Sequence, residues 1–262
     1  GHGTVYLAEH VRLRGQRFAV KVLARACRAD HEVYRRFQRE AEVASRLGHP
    51  GIVSVVDFYS TREGLPCLVM EYLEGEDLER RLKREGTLTP AELGRIMEQV
   101  CGALCAAHEQ DVIHRDLKPG NIYLLGGPGS AVRVKLLDFG IARVRDSFIT
   151  RPNSVLGTPY YMAPEQARGL VDQVDARSDI WSLGVVAYQA LTGVLPFTGD
   201  DFVEVLTAVC DKEPAPMWEV KPGLSREICA VVARALEKER THRYADVTAF
   251  SNALLRALYN LH

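Results

Sequence analysis

The stretch His114-Arg115-Asp116-Leu117-Lys118-Pro119-Gly120-Asn121 decides how the rest of this 262-residue chain is read. It falls between a long helical pattern, Thr89 to Gln110, and a short β-like run, Ile122 to Leu125. A carboxylate placed to accept the proton of an incoming hydroxyl can share its pocket with an amide oxygen a few residues on that faces a metal. Asp116 and Asn121 have that spacing. Taken alone, the same string would also suit a charged turn after a helix.

What lies on either side reduces that ambiguity. Downstream, Asp138-Phe139-Gly140 closes the apolar run Val134-Lys135-Leu136-Leu137. An Asp at a strand end followed by a Gly hinge can aim its carboxylate at a divalent cation bridging phosphates. Upstream, Phe18-Ala19-Val20-Lys21 reads as a strand carrying one cation, and Gly1-His2-Gly3-Thr4 opens the chain with two glycines, whose amides can approach phosphates closely. Residues His31 to Leu47 put Val33, Phe37, Ala41, Ala44 and Leu47 on one helical stripe. Glu40 sits mid-helix on a plausible inward face, in reach of an ion pair with Lys21.

The remaining organisation is coarse but clear. Val5 to Ala8 and Phe18 to Val22 flank Arg14-Gly15-Gln16 as a hairpin, and Ile52 to Tyr59 and Cys67 to Tyr72 are β-rich. Helical patterns follow over Asp77 to Arg84, Thr89 to Gln110, Ser178 to Leu191, Asp201 to Cys210, Ser225 to Glu237 and Ala245 to Leu258. Val132 to Leu137 is a further short β-like run, and Gly140 to about Met162 reads as a long functional loop. The expectation is an α+β fold, a small β-rich lobe followed by a large helical one.

Composition sets the outer bounds. The hydrophobic content of 47% is ample for a large core, and 33 basic against 34 acidic side chains give a net charge of -1. No global field draws such a chain to nucleic acid or an anionic membrane, so phosphate recognition must be local. Six cysteines, Cys27, Cys67, Cys101, Cys105, Cys210 and Cys229, include no Cys-x-x-Cys pair, so reduced thiols are expected rather than a disulfide or metal scaffold. No signal-peptide pattern opens the chain, and no apolar run is long enough to span a bilayer.

Taken in order, these strings resemble the eukaryotic-like serine/threonine protein kinases of bacteria over nearly the whole chain. Gly157-Thr158-Pro159-Tyr160-Tyr161-Met162-Ala163-Pro164-Glu165 is similar to that family's P+1 loop and the Ala-Pro-Glu end of its activation segment. Asp179-Ile180-Trp181-Ser182-Leu183-Gly184 resembles its central helix, whose Asp braces the catalytic loop through backbone amides, and Arg243 stands where an arginine pairs with the glutamate, here Glu165. The resemblance implies a bilobal protein kinase-like fold: a small antiparallel β lobe with one helix over 1–70, a hinge over 71–77, and a large mainly α lobe over 78–262. The small lobe begins inside the Gly-rich loop and lacks the family's first strand.

It also implies roles, residue by residue. Asp116 is the catalytic base, Lys118 faces the γ-phosphate, and Lys21, fixed by Glu40, pairs with the α- and β-phosphates. Asn121 and Asp138 hold the metals. Gly3 belongs to the loop over the phosphates, while Val5 and Ala19 close the adenine pocket from above. Met70 is the gatekeeper, Glu71 to Leu73 offer backbone to the adenine, Asp77 meets the ribose, and Tyr123 lies beneath the base where a leucine is usual. Thr150 and Ser154, with Ser147 behind them, are the activation-loop phosphosites that would pair with Arg115, and Thr158 contacts Asp116 and Lys118.

The implied cofactors are ATP with Mg²⁺ or Mn²⁺, and the implied partners are proteins bearing Ser or Thr. Self-association for trans-autophosphorylation and a cytoplasmic catalytic domain in a longer, membrane-anchored protein follow by the same analogy. Gly120 stands where some basophilic relatives carry an acid, which argues against strong selection for arginine-rich substrates. Two alternatives stand beside this reading. A pseudokinase scaffold would be expected to lack one of Lys21, Asp116, Asn121 or Asp138. A small-molecule phosphotransferase of the aminoglycoside-kinase type would lack the segment Thr158 to Glu165.

Overall fold

A computed structural model describes residues 3–23, 31–126, 132–139 and 159–259, except for the side chains of residues 31–34, 36, 39 and 40. The expected hairpin is present as β1 (Gly3–Glu9) and β2 (Arg17–Leu23). β2 continues into an antiparallel sheet with β4 (Pro66–Glu71) and β3 (Val55–Ser60), in the order β1-β2-β4-β3. The register sets Val5 opposite Lys21 and Ala19 opposite Met70. Since residues directly opposite or two apart share a face, these four side chains lie on the same side of the sheet.

Helix α1 (His31–Arg46) lays Phe37 and Ala41 against that sheet, where they pack with Leu23, Val53, Leu68 and Met70 as a small apolar core. Leu73 and Leu137, one from each passage between the lobes, pack against it. The β-rich segment expected from Ile52 becomes a strand only at Val55. Before that, the chain turns aside to β7 (Arg133–Leu136): Leu136 N donates to Gly51 O at 2.8 Å and Val53 N to Leu136 O at 3.0 Å. This gives the lobes a second connection besides the hinge.

The large lobe starts with a short sheet made of the two expected β-like runs and a third strand that the sequence reading did not anticipate. β5 (Gly75–Asp77), within the expected hinge, pairs with β6 (Ile122–Leu125), and β6 pairs with β7. Gly75 is required there. Its φ is +151°, and a Cβ would lie 2.0 Å from Leu124 O, so any side chain would part the two strands.

The helices α2 (Leu78–Glu85), α3 (Pro90–His108), α5 (Ala176–Thr192), α6 (Phe202–Asp211), α8 (Arg226–Ala235) and α9 (Val247–Tyr259) correspond to the six helical patterns, joined by short α4 (Pro164–Ala167) and α7 (Met217–Val220). Four of the expected starts, Asp77, Thr89, Asp201 and Ser225, prove to be N-caps. A cap residue reads like a helical one because its side chain accepts from the first turn, while its own backbone is still outside the helix. Helix α5 runs through the centre of the core and is buried over most of its length, with Trp181 stacked on Phe197 at 5.4 Å.

Candidate active site

The site is built where the loop 112–117 leaves α3 and enters the turn Pro119–Asn121 ahead of β6. Asp116 Oδ2 has Lys118 Nζ 3.2 Å away and Asn121 Nδ2 3.3 Å away. Asn121, itself buried, also donates Nδ2 to Asp116 O at 2.7 Å. With that nitrogen committed to Asp116, the amide oxygen of Asn121 is the atom left to face a cation.

Asp179, fully buried at the start of α5, holds the loop from behind. Its carboxylate accepts from His114 N and Arg115 N, both at 2.9 Å, and lies 2.8 Å from His108 Nε2. Burial alone would raise the Asp179 carboxyl; the bond from His108, the His108 charge and the His114 amide hold it below its ordinary value. Arg115 has φ 64° and Asp138 φ 45°, left-handed backbone on residues with a Cβ. Such conformations cost roughly 1–3 kcal/mol each and persist only where surrounding bonds impose them. The Asp179 clamp supplies those bonds for Arg115.

Asp138 is reached through β7. Its neighbour Phe139 is buried and lies 4.6 Å, centroid to centroid, from the His114 ring. His114 Nε2 donates to Leu137 O at 3.0 Å, and Asp116 N points at His114 Nδ1 from 3.4 Å. That pattern needs the neutral imidazole, and burial pushes His114 below its usual range in the same sense. Across the cleft, Lys21 Nζ stands 2.8 Å from Asp138 Oδ2. One pocket therefore gathers a carboxylate with two donors beside it, a second carboxylate and a lysine on the opposing lobe. All the groups that would hold a cation are hard oxygen donors, as Mg²⁺ prefers.

The family described as "Protein kinase domain" matches residues 1–255. This chain belongs to the protein kinase domain family. Among curated relatives, serine/threonine-protein kinase Pkn1 of Myxococcus xanthus is 44% identical over 261 residues, covering 98% of this chain and 37% of its own length. PknB of Mycobacterium tuberculosis is 42% identical over 262 residues (98% and 41%), and PrkC of Bacillus subtilis 39% over 245 residues (93% and 37%). The kinase domain thus spans well under half the length of these relatives. The crystal structure of the M. tuberculosis PknI kinase domain superposes with a TM-score of 0.75 at 31% identity, covering 98% of this chain and 92% of that one.

The pairing expected of the kinase domain between Glu165 and Arg243 is present and buried. Arg243 Nη1 and Nη2 each donate to the carboxylate at 2.9 Å, Ser178 Oγ donates to it at 2.6 Å, and the remaining guanidinium donors reach the carbonyls of Arg177, Glu237 and Lys238. Burial would raise the Glu165 carboxyl, but the Arg243 bonds and charge hold it down. Two other expected positions make bonds within the protein. The Asp77 carboxylate caps α2, accepting from Arg80 N at 2.8 Å, and pairs with Arg80 Nε at 3.2 Å. Tyr123 bonds backbone carbonyls of the hinge. The Glu40 side chain, Thr158 and the hydroxyls Ser147, Thr150 and Ser154 lie outside the described residues.

Three positioning residues escaped the sequence reading. Gln166 on α4 donates to Arg115 O at 2.9 Å and accepts from Ala163 N at 3.0 Å, tying the activation segment's end to the catalytic loop. Lys135, a cation inside an apolar strand, reaches Glu71 Oε1 at 2.5 Å, and that oxygen also accepts from Ser54 N. His108 backs Asp179. Only Lys135 gave a signal, because a charged residue in a buried β run requires a partner. Among the described residues, no helix is long and apolar enough to cross a membrane.

Proposed function

We propose that this kinase domain transfers the γ-phosphoryl of ATP to serine or threonine hydroxyls of proteins, with Asp116 as the base. The observation that carries this reading is the Asp116 carboxylate, set between Lys118 Nζ and Asn121 Nδ2 on a loop fixed by Asp179. Asp116 orients the acceptor hydroxyl and takes its proton, and Lys118 offsets charge on the transferring group. Lys21 steadies the α- and β-phosphates from above, with Val5, Ala19 and Met70 on its face of the sheet closing the adenine pocket and the backbone of Glu71 to Leu73 bonding the base. A divalent cation, Mg²⁺ by preference, bound through Asp138 and the Asn121 oxygen, would offset the phosphate charge. Most of the rate comes from positioning and electrostatics, since the transition state asks little covalent chemistry of the protein.

In the same scheme, a phosphate on Thr150 or Ser154 pairs with Arg115. The guanidinium of Arg115 is half-buried, and burial disfavours its charge, so an anionic partner there is stabilising. Incubation with labelled ATP and a generic protein substrate tests the reading. Label on Ser or Thr, abolished by Asp138→Ala, is expected; nucleotide binding without transfer would leave a scaffold in its place.

A further inference from the structure

Tyr123 lies on β6, two residues beyond Asn121 and opposite Asp77 in the register with β5. Its Oη is 2.9 Å from Gly75 O and 3.3 Å from Leu73 O. A phenol has one proton to donate, so the two carbonyls share it in a three-centre bond, Gly75 O as the nearer acceptor and Leu73 O as the farther. The β6 ladder with β5 and β7 follows a backbone register of its own, which an aliphatic residue at 123 would leave intact. The hydroxyl is therefore additional to what the sheet requires.

The segment it grips is held from other sides too. Lys135 of β7 fixes the Glu71 side chain, and Arg17 of β2 stacks over the Tyr72 ring at 4.6 Å and pairs with Glu74. Tyr123 alone of these three engages the hinge backbone itself. Fixing the carbonyl of Leu73 fixes the whole peptide plane that follows it, because that unit is rigid. Only the φ and ψ of Leu73 then separate the anchor from the Leu73 N–H.

We propose that Tyr123 is a positioning residue for the nucleotide: its hydroxyl ties Leu73 and Gly75 to β6 and so presets the hinge backbone that bonds the base. This rests on the reading above that the hinge binds adenine. Ordering a backbone before the ligand arrives removes that cost from binding, so the effect belongs to affinity rather than to the transfer step.

Tyr123→Phe keeps the ring and removes only the donor. ATP binding to the wild-type and variant domains, measured by calorimetry, is paired with steady-state KM for ATP, kcat at saturating ATP, and thermal melts. The expected result is ATP binding weaker and KM higher by about 3- to 10-fold, the effect of one neutral hydrogen bond, with kcat retained and the melt lowered by no more than about 5 °C. An unchanged affinity overturns the proposal, as does a loss of kcat that tracks a loss of stability. Wild-type protein that binds no ATP overturns the parent reading of the hinge, a result distinct from either.

Discussion

Lys21 Nζ and Asp138 Oδ2 stand 2.8 Å apart, a direct contact between the lysine on a strand of one lobe and the carboxylate that follows β7 in the other. The Lys21 side chain is 17% exposed and that of Asp138 39%, so the contact sits at the mouth of the cleft rather than in the core. Each group shields the other's charge, and under the proposed function ATP with its divalent cation would offer both a stronger partner.

Lys21→Met is therefore expected to damage transfer rather than folding. Loss of one electrostatic contact to developing charge typically costs about 10²-fold in kcat. Single-turnover transfer by a variant with a wild-type melt checks this, and undiminished turnover contradicts it.

The Glu165–Arg243 pair makes a stability prediction of a different kind. Both side chains are almost wholly buried, and every guanidinium nitrogen of Arg243 donates a bond. Arg243→Met leaves the Glu165 carboxylate buried without a countercharge, with the Ser178 hydroxyl and its own backbone N–H as donors. Removing one partner of a buried ion pair costs about 3–5 kcal/mol, which urea unfolding would register. A loss below about 1 kcal/mol, the range of exposed pairs, would contradict the assignment.

The domain should also lose stability in acid in two stages. Burial, the largest influence, pushes His114 below its ordinary value, although the carboxylates of Asp179, Asp116 and Asp138 oppose it. The unfolded chain then protonates His114 where the folded one does not, so its contribution is complete above about pH 6.5 and declines below it. Asp179 and Glu165 are held below the carboxylate range, and their contribution is lost below about pH 4. Urea unfolding at about pH 7.5 and about pH 5.5 should show a decline that His114→Gln, which does not titrate, reduces. An equal decline in that variant counts against His114.

How much of this was legible in the sequence depends on whether the cause is local. Asp116, Asn121 and Asp138 announced themselves by spacing, and α1, α3 and α5 by long apolar patterns. The pairing of Glu165 with Arg243 was legible only through the family resemblance, since no local signal joins residues so far apart. β5 was not legible, because Gly75-Glu76-Asp77 has no β-forming side chain; β6 alongside makes it a strand. The left-handed backbone at Arg115 and Asp138 was equally silent, as neither is a glycine, and at Arg115 the bond to distant Asp179 holds it. The Tyr123 hydroxyl on the hinge needed the β5–β6 register before it could be seen.

Asp116→Asn tests Asp116 as the proposed base for phosphoryl transfer to protein hydroxyls with the least disturbance of shape. The decisive measurement is the rate at which wild-type and variant domains label serine or threonine on a protein substrate from Mg-ATP. Transfer by the wild type and a fall of at least about 10²-fold in the variant, the size of a lost general base, are expected, with ATP binding retained. Equal rates for the two proteins would contradict that role for Asp116.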